Sequence, residues 1–161
     1  MGRISGLRIW ETEHFVLDAS VHPHVSREFG GHLIISGRED VYPDRTAFSM
    51  EEGAEVMRLS MMAGEAFVAG MAKQGIEIAR INYQENGNWA FLKPNPKPFF
   101  HIHLYARSLD NPDQPWGEAL QFPDPTAGKA YYDRCVPLTP EDCAAIRREL
   151  ERLDRSDKYR L

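Results

Sequence analysis

The sequence is poor in cysteine and contains no basic run and no long apolar stretch. Its two cysteines, Cys135 and Cys143, lack the paired spacing of a zinc site, and we interpret them as plain thiols in a reducing compartment, which favours the cytoplasm. No segment is apolar enough to span a membrane, and the start of the chain lacks a secretion signal. A formal net charge of −5 without Lys or Arg clusters argues against binding of long nucleic acids. A small ligand is the expected partner.

What the chain does contain is an ordinary globular composition and six histidines. With 161 residues, of which 42% are hydrophobic and 27% charged, we predict one domain over residues 1–161. Imidazole can act near neutral pH as a nucleophile, an acid, a base or a metal ligand. The histidines fall into two distant groups, as expected if two segments meet in one site: His14, His22, His24 and His32, then His101 and His103.

The apolar pattern predicts a mostly antiparallel sheet. Residues 8–19 are interpreted as one or two short strands and residues 32–36 as a strand buried on both faces. Residues 76–83 and 99–106 alternate with period two and are predicted as two further strands. Pro23 and two glycines make the segment between the first strands and residue 32 a loop.

Two helices are predicted from their caps. Ser49 and Glu52 form a capping box ahead of apolar residues at helical spacing, which predicts a helix from about Met50 to Lys73. Thr139, followed by proline and two acidic residues, predicts a final helix that runs to about Asp154. The last ten residues alternate in charge and are interpreted as a solvated, fraying end. The fold class is therefore α+β, with a long helix and a C-terminal helix on the sheet.

The motif His101-Ile102-His103-Leu104-Tyr105 carries the chemistry. In a strand, the three polar rings project from one face, spaced by roughly 6 to 7 Å, which suits a phosphate-sized group. A solvent-facing sheet could carry the same pattern without a function, because ring side chains suit strands.

The segment FHIHLYAR resembles the H-φ-H-φ-H-φ-φ signature of the histidine triad (HIT) superfamily, with Tyr105 in place of the third histidine. GGHLIIS at residues 30–36 is similar to that family's PGHxLVIP strand, which puts His32 at the position of its fourth active-site histidine. The match covers about residues 8–107, so residues 108–161 are expected to be a C-terminal loop and helix extension.

The resemblance implies a hydrolase or transferase of small nucleotide conjugates that needs no metal or other cofactor. His103, the middle histidine, would attack the α-phosphorus and form a covalent nucleotidyl-histidine, which is then released to water or another acceptor. His101, His32 and backbone N–H groups would meet the phosphoryl charge. The family frequently pairs its sheets, so a homodimer is expected.

Three further residues are candidates for substrate binding: Asp18, Asn82 and Lys97. Asp18 is similar to the family's strand-end ribose ligand, although its loop is several residues longer than usual and counting back the usual spacing reaches His24. Asn82 matches an asparagine that contacts the nucleotide. Turn carboxylates and strand terminators are the structural alternatives for these two residues.

Two departures from the family pattern bear on activity. Lys97 and Pro98 stand where the family has its G-Q-[ST] phosphate segment, and Pro98 supplies neither a hydroxyl nor a backbone donor. Lys97, or Lys93, could replace that contact as a point charge on phosphate; a solvated loop lysine is the structural alternative. Tyr105, with an ordinary pKa near 10, donates protons more weakly than imidazolium.

These departures leave two alternatives to an enzyme. The first is a HIT-like nucleotide-binding regulatory module that has lost turnover. The second is a metalloprotein that uses His22-Pro23-His24 or His101-x-His103. In the main interpretation, His14, His22 and His24 are ordinary surface or loop residues unless the long loop folds inward.

Overall fold

The computed structural model describes residues 6–39, 41–124 and 128–160. Five strands form one sheet in the order β1-β2-β3-β5-β4, and every neighbouring pair is antiparallel. The strands are β1 (Gly6–Glu11), β2 (Phe15–Ser20), β3 (His32–Gly37), β4 (Arg80–Gln84) and β5 (His101–Arg107). The α+β prediction with an antiparallel sheet is confirmed. No helix in the described parts of the chain is long and apolar enough to cross a bilayer.

The described residues form three α-helices beside the sheet. Helix α1 (Met50–Ala72) begins at the predicted Ser49–Glu52 capping box, and α3 (Pro140–Asp154) begins at a second box formed by Thr139. Both predicted helices are confirmed. A short helix, α2 (Lys129–Arg134), was not predicted because it has no capping side chain and spans less than two turns.

Helices α1 and α3 cover one face of the sheet and bury its apolar side chains. Phe15, Leu17, Leu33 and Leu104 are fully buried there together with Phe67 of α1. The two helices approach closely at Gly70, where an added Cβ would lie 2.9 Å from Cα of Ile146. The opposite face of the sheet stays free to carry polar side chains.

Two local predictions are wrong. Residues 76–79 are not strand. Arg80 is paired with Arg107, the last residue of β5, and the Ala79 N–H still donates to the Arg107 carbonyl oxygen at 2.9 Å, so residues 76–78 lie beyond the end of the neighbouring strand. The C-terminal end is not a frayed tail either. Tyr159 is 5% exposed, and its hydroxyl donates to Glu65 of α1 at 2.8 Å, so apolar burial and a hydrogen bond dock the end of the chain on α1.

Candidate active site

Strand β5 places the histidine motif on the face of the sheet that α1 leaves free. Ile102 and Leu104 pack toward the core, so His101, His103 and Tyr105 project from the opposite face. His103 is 7% exposed and Tyr105 only 1%. Their rings are nearly parallel with centroids 5.1 Å apart, and the His101 ring meets His103 edge-on at 4.7 Å. The structure therefore gathers all three rings in one largely buried row.

His32 of β3 joins this row and contacts the middle histidine. Its Nε2 lies 2.8 Å from Nδ1 of His103. Its own Nδ1 accepts a hydrogen bond from the backbone N–H of His24 at 3.3 Å. Neutral imidazole carries one proton, so His32 holds that proton on Nε2 and donates it to His103. His103 in turn accepts at Nδ1 and carries its own proton on Nε2.

His101 has the other arrangement of its ring proton. Its Nδ1 lies 2.9 Å from the carbonyl oxygen of Phe99, which can only accept, so Nδ1 carries the proton and Nε2 holds a lone pair. The two histidines of β5 therefore present different nitrogens: a donor on His103 and an acceptor on His101.

Burial keeps the histidines of the site uncharged at neutral pH. Desolvation lowers the pKa of His103 to about 3 and of His24 to about 4. It also lowers the pKa of His101 and of the fully buried His32. Imidazolium is disfavoured in each case because a charged ring loses its hydration, and for His32 and His103 also because the ring faces other imidazoles. Neutral imidazole is the form that can act as a nucleophile or a base.

Tyr105 is the third ring of the β5 row, and its hydroxyl is already engaged. It lies 3.2 Å from Nδ1 of His24. Burial raises the pKa of Tyr105 well above its ordinary value, and the neighbouring Asn86 side chain lowers it by less. The tyrosine hydroxyl is therefore neutral and in contact with His24.

His24 is the residue that the sequence interpretation left outside the site. The loop between β2 and β3 folds inward, and the His24 ring packs among aromatic rings at centroid distances of 4.9 to 6.0 Å: His32, Trp89, His103, Tyr105, Phe122 and Tyr132. The unusual length of this loop and the spacing of His24 from His32 were the only signals in the sequence. Phe122 and Tyr132 come from the C-terminal extension, which no motif connected with the site.

The three substrate-binding candidates are placed differently. Asp18 is 8% exposed and lies on the site face, where it accepts a 2.6 Å bond from Nε of Arg8. Asp18 lies opposite Ile34 of β3, and Ile34 lies opposite His103 of β5. Asn82 pairs with Tyr105 across β4 and β5 and is half-buried. Lys97 is exposed in the loop before β5.

A metal site receives no geometric support within residues 6–39, 41–124 and 128–160. No group of three or more His, Cys, Asp or Glu side chains in these ranges is arranged to hold a metal ion. His22 is exposed, whereas His24 points into the aromatic cluster. His14 is half-buried just before the start of β2 and bonds Glu55 at 2.7 Å. Both cysteines are free thiols.

Comparison with known proteins identifies the fold. No protein-family model matches the chain, and no curated protein matches it in sequence. A zinc-bound histidine triad family protein from Mycobacterium smegmatis superposes with a TM-score of 0.57 and 20% identity over 93% of this chain and 87% of its own. A hypothetical histidine triad nucleotide-binding protein from Sulfolobus tokodaii gives 0.57 and 16% over 94% and 87%. A histidine triad protein from Marinobacter aquaeolei gives 0.55 and 16% over 91% and 86%. The fold is that of histidine triad proteins, which confirms the resemblance at the level of structure.

Proposed function

We propose that the protein is a hydrolase or transferase of the histidine triad type that acts on a small nucleotide conjugate, such as a nucleoside phosphoramidate or a dinucleoside polyphosphate. The observation that supports this best is the environment of His103. Its ring is buried, neutral and held at 2.8 Å by His32, between His101 and Tyr105 on the sheet face opposite α1 and α3. An oriented neutral imidazole is what nucleophilic attack on phosphorus requires.

The proposed reaction has two displacements. His103 reacts in the form that carries its ring proton on Nδ1. Its unprotonated Nε2 forms a bond to the α-phosphorus while the bond from phosphorus to the leaving group breaks, and the leaving group departs with that electron pair and takes a proton. Water then attacks the nucleotidyl-histidine, loses a proton and releases the nucleotide and free His103. Backbone N–H groups and the Lys97 ammonium are the proposed donors that offset the charge developing on the phosphoryl oxygens. Because Tyr105 replaces a histidine, leaving groups that need little protonation are expected to react best.

The substrate-binding roles follow from position on the sheet. Asp18 and His103 lie two strands apart in one register row, which separates them by ~10 Å. A nucleotide with its α-phosphate at His103 can place its ribose hydroxyls toward the Asp18 carboxylate, which Arg8 orients. Asn82, beside Tyr105, is proposed to contact the nucleotide, and the exposed Lys97 is proposed to contact phosphate as a point charge.

A covalent adduct tests the proposal directly. Intact protein is incubated with AMP, GMP and UMP conjugates and analysed by mass spectrometry for a nucleotidyl adduct, which peptide mapping should place on His103. His103→Ala is expected to lose both adduct and turnover. His14→Ala is the matched control, because His14 bonds Glu55 outside the site. Turnover that is unchanged in His103→Ala would overturn the proposal.

A nucleotide-binding module without turnover is the second candidate, and one observation favours it. The proton on Nε2 of His103 suits donation to a phosphoryl oxygen and leaves that nitrogen without a lone pair. Such a module would bind AMP and GMP with similar affinity before and after His103→Gln, and neither form would hydrolyse a conjugate. Hydrolysis that depends on His103 excludes this alternative.

We further propose that two copies pair through the β4 edge of the sheet. On its outer side, β4 pairs with no other strand in the described residues, and open edges are templates for pairing. Beside it, α1 presents a stripe of exposed apolar side chains at helical spacing, continued by Tyr83 of β4: Met57, Met61 and Val68. Tyr83 packs over Gly64 within this stripe. A twofold pair would bury the same surface on both copies.

Solution mass measures this directly. Light scattering is expected to give a dimer for the wild type and a monomer for Met61→Asp, which puts a charge in the centre of the stripe. Met50→Asp is the control, because Met50 is 89% exposed at the first turn of α1. A monomeric wild type at micromolar concentration contradicts the dimer.

A further inference from the structure

His24 contacts the histidine pair through its main chain as well as through its ring. Its N–H donates to Nδ1 of His32, and Nε2 of His32 lies against Nδ1 of His103. A backbone amide is a donor in every protonation state, so it does not adapt to the ring that it faces. A neutral imidazole does adapt, because its proton can sit on either nitrogen.

The contact between the His24 N–H and His32 determines which nitrogen of His103 carries the ring proton. While the His24 N–H occupies Nδ1 of His32, the proton of His32 stays on Nε2 and occupies Nδ1 of His103. The proton of His103 is then held on Nε2, which can bind a phosphoryl oxygen as a donor but has no lone pair for attack. With the amide withdrawn, His32 can carry its proton on Nδ1 and accept at Nε2 from His103. Nε2 of His103 is then free to attack.

We propose that His24 is a positioning residue whose backbone N–H sets the tautomer of His103 through His32, and so selects between a phosphate-binding and a nucleophilic form of the site. The proton count balances between the two forms. One proton leaves Nε2 of His103, one passes from Nε2 of His32 to Nδ1 of His103, and one is taken up from solvent at Nδ1 of His32. Both rings stay neutral, as their burial requires. The assignment of a nucleophilic form rests on the proposed function, whereas the tautomer itself does not.

The C-terminal extension determines where the His24 amide lies. The hydroxyl of Tyr131 donates to the carbonyl oxygen of His24 at 2.8 Å, and the Tyr132 ring lies 4.9 Å from the His24 ring. Tyr105 bonds the ring on another side. At 3.3 Å, the bond from the amide to His32 is longer than an optimal hydrogen bond. A small displacement of these anchors is therefore enough to break it.

Nitrogen NMR of the histidine rings tests this proposal without substrate. In the full-length protein labelled with ¹⁵N-histidine, long-range proton–nitrogen spectra distinguish Nδ1–H from Nε2–H for each ring, and His32→Gln and His103→Gln spectra assign the signals. Wild type and His24→Ala, which keeps the amide, are expected to show His103 with its proton on Nε2. His24→Pro, which lacks the amide, is expected to convert at least half of His103 to the Nδ1–H form. A wild-type His103 that carries its proton on Nδ1 overturns the proposal.

If proline at position 24 disturbs the loop, Tyr131→Phe is the second variant for the same tautomer measurement. It removes only the hydroxyl that holds the His24 carbonyl and is expected to raise the Nδ1–H population of His103 above that of the wild type. An unchanged tautomer in every folded variant overturns the role of the amide. If the tautomer behaves as expected but no adduct forms on His103, the proposed reaction fails and the inference about His24 stands.

Discussion

Nε2 of His32 lies 2.8 Å from Nδ1 of His103 although 71 residues separate them in the chain. Strands β3 and β5 are neighbours, and their register puts Ile34 of β3, not His32, opposite His103. The two rings therefore meet diagonally across the strands. Because both residues are less than 10% exposed, each ring depends on the other to satisfy a buried nitrogen.

Replacing His32 is expected to damage both stability and adduct formation. His32→Phe keeps a ring but leaves Nδ1 of His103 without a donor, which costs about 1–3 kcal/mol in the free energy of unfolding. Adduct formation should slow by roughly 10²-fold because His103 is no longer held in position. His32→Gln, whose amide can either donate to or accept from Nδ1 of His103, should retain more of both. Equal losses in the two variants, measured by urea unfolding and adduct kinetics, would contradict this role.

Replacing Tyr105 by histidine is expected to change the choice of leaving group. Tyr105→His supplies a more acidic proton donor than a buried tyrosine. We expect faster turnover of conjugates with poor leaving groups, such as alkyl amines, and little change for good ones. Tyr105→Phe keeps the ring and removes the hydroxyl that contacts His24. A Phe variant that gains as much as the His variant would show that proton donation is not the cause.

The buried histidines should make the fold sensitive to acid. Their pKa values in the folded protein, about 3 for His103 and about 4 for His24, lie below the ordinary 6.5. Between the folded-state pKa and 6.5, the unfolded chain therefore binds more protons than the folded protein does. Their contribution to stability is complete above about pH 6.5 and is lost as the pH falls toward 4, with a slope of up to about 1.4 kcal/mol per pH unit for each ring. His24→Leu should flatten urea stability between pH 5 and 6.5. An unchanged slope would place its pKa near the ordinary value.

His14 should show the opposite dependence. Its bond to Glu55 raises the pKa of His14 above 6.5, so the folded protein binds more protons over that interval. The stabilising contribution is present below pH 6.5 and is lost as the pH rises through the folded-state pKa. His14→Ala should therefore remove a decline in stability between pH 6.5 and 8. If His14→Ala instead alters only the range below pH 6.5, this assignment is wrong.

The inward loop should depend on an ion pair with α3. Arg27 donates to both carboxylate oxygens of the buried Asp142, at 2.6 and 2.8 Å. Arg27→Ala removes both of these hydrogen bonds from the buried carboxylate and is expected to lower the free energy of unfolding by about 1–3 kcal/mol. In a double-mutant cycle, Asp142→Asn should lower the free energy of unfolding by less in the Arg27→Ala background than in the wild type. Additive effects would mean that the pair is not coupled.

Local sequence determined much of the fold and one row of the site. The alternation from His101 to Tyr105 determines that their rings share a face, because successive side chains of a strand point to opposite sides. The Ser49 and Thr139 capping boxes determine where both long helices begin, because each satisfies orphan amides within four residues. These features involve neighbours in the chain and can be read without knowing the fold.

Only the tertiary structure decided which other residues complete the site. His24 enters it because Tyr131 and Asp142, more than 100 residues downstream, hold its loop inward; the local pattern around Pro23 says only that the segment is not regular. The tautomer of His103 depends on an amide and a ring from two other segments. Such contacts depend on strand register and on long-range packing, which no window of neighbouring residues contains.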